Sequence, residues 1–418
     1  MKVSRHKIRV FICAFAGILS MNPYFVWETF FNGILAYFTY IFYSLAILIL
    51  LKYGMKRRIR TNGLITMGLM LIIYCVTYLH SYSGVGIKNV ISGALLFTFL
   101  TCFVLTESQL RCEIFEMYTK LFIISMIPGL VYYVLELFGV SLSIDTIRSN
   151  NQILYDQSKD FESLGVSGYY KVYLGAVMRV NSNTRFAGIY DEAGLVGTVC
   201  ALLLAARGWK MKKNTLNKWL ILFLLLSFSL AGYILGLVYF IIKFIRQQQW
   251  KLLLILVCCS IGLMVLLNIS TDISTINNLQ NRFVVNKGMI FIVNNRETSN
   301  YMKGFSQYLN SNLGTKMFGY GRGASVANYL MNGSSSYRNL LYNFGIVGVL
   351  SMMYMLIHSY FSNIRWKIKN NWSAVVLFLL FIISMYQRPG VFFPFYFIIL
   401  YGGQAFIGRK REMSNASN

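Results

Sequence analysis

The sequence predicts an all-α, polytopic membrane protein, from its composition, its apolar segments and the placement of its charges. Hydrophobic residues make up 56% of the 418 residues and charged residues only 13%, too few to cover a water-soluble globule. Apolar segments near the roughly 17–25 residues that cross a bilayer recur along the whole chain. The segments assigned to the cytoplasmic side, including both termini, carry 24 of the 39 Lys and Arg residues, as the positive-inside rule predicts.

The apolar segments predict about twelve transmembrane helices in a single integral membrane domain, residues 1–418. The predicted spans are residues 8–21, 33–53, 62–80, 88–106, 114–139, 191–206, 217–230, 232–246, 251–268, 340–361, 373–387 and 391–407. We divide 217–246 into a hairpin at "SFSLAG"; the alternative is one long tilted helix, which would invert the topology downstream. The hairpin places most basic loops on one side, so the positive-inside rule favours it and predicts two cytoplasmic termini.

Three further features narrow the class of protein. The basic start "MKVSRHKIR" resembles a secretion signal, but "ILSMNPYF" offers no cleavage site, so we expect a retained first helix. The seven cysteines lie in predicted helices or on the cytoplasmic side and predict neither a disulfide framework nor a zinc site. Cytoplasmic loops and anionic lipid account for the net charge of +25, so no nucleic-acid partner is expected.

Two segments, residues 140–190 and 269–339, are predicted to be large extracytoplasmic loops. Together they carry twelve Lys and Arg residues on the side where cations are normally depleted, which indicates an anionic ligand. A disordered tether and a passive cap are the alternatives. Arginine suits diphosphate because its planar guanidinium makes bidentate hydrogen bonds. The candidate substrate-binding arginines are Arg179, Arg185, Arg282, Arg296, Arg322 and Arg338.

Tyrosines alternate with these cations in both loops. Their rings suit the apolar faces of sugars, although tyrosines also anchor proteins at the membrane interface. The further candidates for substrate binding are Tyr190, Tyr337 and Asn339, which stands beside Arg338. An anionic, partly apolar ligand at the outer leaflet suggests a lipid-linked phosphate.

The stretch "RFAGIYDEAGLVG", residues 185–197, joins the first outer loop to an apolar helix. It places Arg185, Asp191 and Glu192 at the mouth of that helix, where we predict catalytic roles. Arg185 would hold a phosphate, and Asp191 or Glu192 would accept the proton of an attacking hydroxyl, with Glu192 preferred for its longer reach. The alternative is helix capping, because acidic residues at a helix start complement its dipole.

The order of these segments resembles that of the Wzy-type O-antigen and capsular polysaccharide polymerases, which share a fold with the O-antigen ligases. The likeness rests on the many helices, the first loop ending in "RFAGIYDEAGLVG", a short helix pair and the second loop ending in "SSSYRNLLYNFGIVGVL". In that superfamily an arginine and then a glycine open the helix after the first loop, which Arg185 and Gly188 match. Two glycines three apart close the second loop, which Gly345 and Gly348 match.

The second loop bears on the choice between polymerase and ligase within this resemblance. A polymerase motif of arginine, ten residues and glycine is met by Arg322 and Gly333. Ser334 and Ser335 stand where the ligases have a histidine and its neighbour, and this departure counts against a ligase.

The resemblance implies a glycosyltransferase of GT-C-like architecture in the bacterial inner membrane. Such polymerases transfer a growing glycan from undecaprenyl diphosphate to the non-reducing end of another lipid-linked repeat unit at the outer face of that membrane, with no metal or other cofactor. The implied partners are undecaprenyl-diphosphate-linked oligosaccharide, membrane lipid, a chain-length regulator and a flippase. The sequence agrees in having no Asp-x-Asp metal site and no glycine-rich phosphate loop.

Two other functions stay open from the sequence. An O-antigen ligase would use the same donor and transfer the glycan to lipid A–core. A lipid-linked oligosaccharide flippase would place charges within its helices around a central cavity and would not need a long outer loop.

The predicted topology is testable with cysteine substitutions at Ser163 and Ser311, one in each large loop. In intact cells whose outer membrane has been permeabilised, an impermeant thiol reagent should label both positions, because the basic short loops fix the orientation. Protection of both positions would contradict it.

Overall fold

The computed structural model of the protein describes residues 4–24, 34–55, 61–84, 86–148, 169–179, 185–210, 214–266, 283–286, 289–292, 299–328, 330–331, 336–362 and 371–416. This part of the chain forms a bundle of helices with two small antiparallel sheets. Five of its helices are each long and apolar enough to cross a membrane. The protein is therefore a mainly helical membrane protein, as the composition predicts.

The described helices are α1 (Arg5–Leu19), α2 (Ile34–Gly54), α3 (Thr61–Leu79), α4 (Ile87–Leu105), α5 (Ser108–Leu137), α6 (Ala193–Arg207), α7 (Thr215–Leu226), α8 (Leu230–Arg246), α9 (Trp250–Leu266), α10 (Ser299–Leu309), α11 (Leu313–Phe318), α12 (Ala324–Ala327), α13 (Arg338–Ser362), α14 (Trp372–Gln387) and α15 (394–416).

Every predicted apolar segment coincides with one of these helices. The five that are long and apolar enough to span alone are α2, α3, α4, α5 and α13. A helix break is present where the hairpin is predicted: α7 ends at Leu226 and α8 begins at Leu230. Between them Phe228 adopts a left-handed backbone with φ of 44°, which interrupts the helix.

The two sheets are a departure from the all-α expectation, and both lie in the predicted outer loops. One has the order β1 (Asp145–Arg148), β2 (Tyr169–Tyr173), β3 (Ala176–Arg179), and the other pairs β4 (Phe283–Asn286) with β5 (Met289–Ile292). The physical reason is visible in "YYKVYLGAVMR". Aromatic and β-branched residues flank a Leu-Gly turn, which favours a hairpin over a helix.

The β2–β3 hairpin is fixed to the end of α5. Glu136 accepts hydrogen bonds from Tyr173 Oη and from Lys171 Nζ, the latter at 3.2 Å. Gly175 in the turn lies so close to Pro128 that a Cβ there would overlap the proline ring. The hairpin in the predicted first outer loop is therefore packed against α5.

Helix α6 lies at the centre of the bundle. Every residue from Leu195 to Arg207 is buried, as expected of a helix that is apolar on all sides. Gly197 lets the α7–α8 turn approach closely, since a Cβ at this position would lie 2.7 Å from Ser229 Oγ. The residues at the start of α6 are thus held by packing on several sides.

Helix α13 is interrupted at Gly345, whose φ is 63° and ψ −175°. The break leaves the carbonyls of Tyr342 and Asn343 to accept hydrogen bonds from Tyr320 N at 2.9 Å and Gly321 N at 2.8 Å. A Cβ on Gly345 would overlap the Met317 carbonyl. The segment after α11 is therefore joined to α13 through main-chain contacts that need glycine.

Substituting Gly345 by alanine should destabilise this junction more than the matched change Gly323→Ala. Both glycines have a positive φ, so each alanine costs about 1–2 kcal/mol for left-handed backbone. Only Gly345 would add overlap with a neighbouring main chain, because a Cβ on Gly323 meets nothing within 4 Å. Thermal unfolding in detergent should give a lower Tm for Gly345→Ala, and equal losses for the two variants would contradict the assignment.

Candidate functional site

The stretch from Arg185 to Glu192 is held by main-chain hydrogen bonds to three neighbours. Phe186 N donates to Leu226 O at 2.9 Å, Tyr24 N donates to Ile189 O at 2.7 Å, and Val177 N donates to Gly188 O at 2.9 Å. These bonds reach the end of α7, the chain after α1 and strand β3. The ionisable side chains of this stretch are therefore carried on a fixed backbone.

Gly188 is required in this stretch for two reasons. Its φ is 61°, in the left-handed region that favours glycine. Its Cα also lies against α5, since a Cβ on Gly129 would be only 2.8 Å away from it. The backbone conformation and packing at position 188 therefore explain why a glycine stands three residues after Arg185.

Glu192 forms an ion pair with Arg388, which follows the last residue of α14. The Arg388 side chain is 18% exposed and the Glu192 side chain 40% exposed. The guanidinium lies over the first turn of α6, where Gly194 leaves room for it: a Cβ there would be 3.0 Å from Arg388 Nη2. Burial lowers the pKa of Arg388, but the carboxylates of Glu192 and Asp191 outweigh it and leave that pKa raised.

The ion pair with Arg388 bears on the two roles considered for Glu192, general base and helix cap. Glu192 occupies the N-cap position of α6, yet its side chain makes no capping hydrogen bond. An arginine partner stabilises the ionised form of a carboxylate and makes it a poorer base. As a base, Glu192 would accept a proton more readily with Arg388 drawn away.

Arg185 lies at the turn between α7 and α8. Its Nε donates to Ser227 O at 3.3 Å, and the side chain is half-buried. A cation beside the last carbonyls of a helix interacts favourably with the helix dipole. Arg185 therefore stabilises the end of α7 in addition to any contact with a ligand.

Tyr190 is placed in the core. Its ring is fully buried and stacks on Phe122 with centroids 5.7 Å apart, and its hydroxyl lies 3.2 Å from Ser125 Oγ. Contact between this ring and a substrate would require the surrounding core to open.

Three predicted residues of the second loop lie together at the start of α13. Arg338 donates through Nη1 to Met302 Sδ, and its guanidinium carbon is 5.4 Å from the centroid of Phe305. Asn339 Oδ1 accepts a hydrogen bond from Tyr301 Oη at 2.6 Å. Tyr301, Met302 and Phe305 all belong to α10, so Arg338 and Asn339 hold α10 against α13. Asn339 has a structural contact in addition to its predicted role.

The third of these residues, Tyr337, connects the two predicted sites. Its ring stacks on Tyr386 with centroids 5.5 Å apart and an interplanar angle of 26°. Tyr386 stands two residues before Arg388, the partner of Glu192. The end of α14 therefore joins the start of α6 to the start of α13, and it brings the ends of both outer loops to the same end of the bundle.

Arg322 lies against the end of α3. Its guanidinium carbon is 3.9 Å from the centroid of Tyr78, and its main chain pairs with the chain after α3 through Arg322 N to His80 O at 2.8 Å and Tyr82 N to Arg322 O at 3.1 Å. Within the described part of the chain, Arg322 Nη1 is buried and has no hydrogen-bond partner. A buried donor of this kind is suited to an anionic acceptor.

The remaining predicted residues are only partly covered. The main chain of Arg179 lies in β3 opposite Tyr170, and its side chain lies outside the described residues. Arg282, Arg296 and the Gly333–Ser335 segment also lie outside them. Among the residues that the structure describes, no group of three His, Cys, Asp or Glu side chains could hold a metal ion.

Arg388 is the site residue that sequence reasoning did not assign. The sequence shows it only as part of "YQRPG", which covers the short segment between the predicted spans 373–387 and 391–407. Cations are normally depleted on the predicted outer side, so an arginine in this segment was the feature of the sequence that could have indicated a functional role.

Comparisons with known proteins assign no family or function to this site. No protein-family model matches the chain, and no curated protein or solved structure matches it. The likeness to Wzy-type polymerases rests on the order of segments and the residues at their ends.

The ion pair between Glu192 and Arg388 should show measurable coupling in a double-mutant cycle with Glu192→Gln and Arg388→Gln. We expect about 0.5–3 kcal/mol, toward the lower end because water reaches Glu192. The pair His6–Glu113 is a control: its nitrogen and oxygen are 2.5 Å apart, but His6 is 57% exposed, so its coupling should be near zero. Equal coupling in the two cycles, measured by unfolding in detergent, would argue against a special role for Arg388.

Proposed function

We propose that the protein polymerises lipid-linked oligosaccharide repeat units at the outer face of the bacterial inner membrane, with both termini in the cytoplasm. It would transfer the growing glycan from undecaprenyl diphosphate to the non-reducing end of another lipid-linked repeat. The observation that supports this is the meeting of both predicted outer-loop ends at the end of α14, where Arg388 pairs with Glu192 and Tyr386 stacks on Tyr337. Cations at a helix-end surface suit a ligand whose phosphates lie at the membrane interface.

In this proposal the guanidinium groups of Arg185, Arg338 and Arg388 hold the diphosphate. Each offers charge-assisted hydrogen bonds to phosphate oxygens. Negative charge on the diphosphate grows as it departs, so donors fixed in advance stabilise the transition state more than the ground state. Tyr337, which adjoins Arg338 and is 37% exposed, offers aromatic surface to a sugar ring.

The ion pair gives the base a means of activation. Phosphate oxygens of the bound donor would compete with Glu192 for Arg388 and so free the carboxylate. The hydroxyl oxygen of the acceptor sugar would then bond to the anomeric carbon of the donor as the bond from that carbon to the diphosphate oxygen breaks. Glu192 would take the hydroxyl proton, and undecaprenyl diphosphate would leave as the anion.

Two other functions are weighed against this one. A ligase would use the same donor site, and the serines in place of the ligase histidine are the feature against it. A flippase would carry its charges within helices around a cavity. The site arginines Arg185, Arg338 and Arg388 lie instead at helix ends, which favours a transferase at the membrane surface.

Deletion of the gene followed by electrophoresis of the surface glycan separates these functions. Loss of a polymerase should leave single-repeat material because export and ligation continue. Loss of every repeat would point to the ligase or the flippase.

Removing one of the arginines Arg185, Arg322, Arg338 or Arg388 should reduce transfer. A charge-assisted hydrogen bond contributes about 1.5–3 kcal/mol, so each alanine variant should lose roughly ten- to a hundredfold. Lysine should rescue poorly because a point charge does not reproduce the guanidinium fork. Glu192→Gln should leave substrate binding largely intact and slow the chemical step by about a hundredfold or more.

The measurement is polymer ladder formation normalised to the amount of protein in the membrane. Arg246→Ala is the matched control. Arg246 is the last residue of α8, at the end of that helix away from the α7–α8 turn, and its guanidinium lies over the ring of Trp372. Full-length ladders from both Arg185→Ala and Glu192→Gln at normal abundance would mean that this stretch serves only the fold.

A further inference from the structure

A second group of cations lies at the far end of α6. This helix has 15 residues, so Arg207 stands about 21 Å along its axis from the Glu192 end. Arg207 is buried, with 6% of its surface exposed. The site is therefore separate from the one proposed for transfer.

Neutral side chains satisfy Arg207 only in part. Its Nε donates to Asn217 Oδ1 at 2.7 Å and its Nη2 donates to Asn214 Oδ1 at 3.2 Å. Its Nη1 is buried and has no hydrogen-bond partner among the residues that the structure describes. Two amides orient this guanidinium without balancing its charge, and one N–H edge is left for another acceptor.

Lys410 adds a second cation at the same place. Its Nζ donates to the carbonyl of Arg207 at 3.4 Å. The two charged groups also share one aromatic ring: Lys410 Nζ is 5.8 Å and Arg207 Cζ is 5.3 Å from the centroid of Phe406. Burial lowers the pKa of Lys410, and the like charges of Lys210 and Arg207 lower it further. Lys410 is exposed and lies three residues beyond the predicted apolar span 391–407.

The described part of the chain places no carboxylate in direct contact with these two cations. Glu116 is near enough to influence Arg207, yet the described residues contain no carboxylate in salt-bridge contact with Arg207 or Lys410. Bringing like charges together beside a buried guanidinium costs free energy unless an anion compensates. The arrangement is typical of basic pockets between transmembrane helices that bind anionic headgroups.

We propose that Arg207 and Lys410, above the ring of Phe406, form a binding site for the phosphate of an anionic phospholipid headgroup. Arg207 Nη1 and Lys410 Nζ would donate to phosphate oxygens, and Phe406 would face the start of the acyl chains. The inference is independent of the proposed polymerase activity, because it concerns the other end of the bundle.

The test uses full-length protein in nanodiscs of phosphatidylcholine alone or of phosphatidylcholine with phosphatidylglycerol. Native mass spectrometry should show phosphatidylglycerol retained on the wild type and about tenfold weaker retention on Lys410→Gln, the change expected for one charge-assisted hydrogen bond. Lys410→Arg keeps the charge and should keep the lipid. Retention by Lys410→Gln equal to that of the wild type would overturn the proposal.

Lys243→Gln is the matched control. Its Nζ lies 5.7 Å from the ring of Phe240 in the last turn of α8, without a buried arginine beside it. This variant should retain phosphatidylglycerol as the wild type does, and an equal loss would show that retention reflects overall charge. A rise in Tm with inorganic phosphate in lipid-free detergent, as large as that with phosphatidylglycerol, would identify a soluble anion as the ligand and contradict the lipid assignment. If Lys410→Gln fails to fold, Lys410→Met supplies the comparison, and normal retention by it would also overturn the proposal.

Discussion

The constraint on which the rest of the structure depends is that backbone N–H and C=O groups at membrane depth must find partners inside the protein. A continuous helix pairs most of these groups internally. The helix interruptions after Leu226 and at Gly345 leave carbonyls that need other partners. At both places the free carbonyls accept hydrogen bonds from an outer loop: Phe186 N on Leu226 O, and Tyr320 N on Tyr342 O. The loops are thus positioned by the gaps in the helices, and the residues that they carry are positioned with them.

This constraint explains why the site lies where it does. Arg185 stands next to Phe186, so the bond that fills the gap after α7 also fixes the arginine at the end of that helix. Glu192 stands at the N-cap of the buried helix α6, where it pairs with Arg388, the residue after α14. A half-buried ion pair at such a place contributes little net stability once desolvation is counted. In the proposed mechanism the pair would hold two reactive groups in a defined state until a phosphate competes for the arginine.

The sequence was sufficient for features with a local cause. Apolar length predicted the helices, and the division of 217–246 at "SFSLAG" coincides with the break between α7 and α8. The sheets in the predicted outer loops were not predicted. These loops were interpreted from their charges and aromatic residues alone, although "YYKVYLGAVMR" also has the residue pattern of a β-hairpin. The pairing of Glu192 with Arg388 had no local signal at all, since the two residues are 196 positions apart. Contacts of that kind follow from how α6 and α14 pack, which periodicity does not encode.

The glycines give the resemblance to polysaccharide polymerases a physical interpretation. Gly188 and Gly345 both adopt a positive φ, and a side chain at either position would overlap a neighbour: the Met126 side chain at Gly188 and the Met317 carbonyl at Gly345. A family signature built on such glycines describes a shared backbone path, because any chain that makes these turns needs them, whatever chemistry it performs. Chemistry enters only through the charged side chains that the path brings together. In this chain the candidates are Arg185, Glu192 and Arg388, so variants at these three positions, rather than at the glycines, test the proposed active site separately from the backbone path.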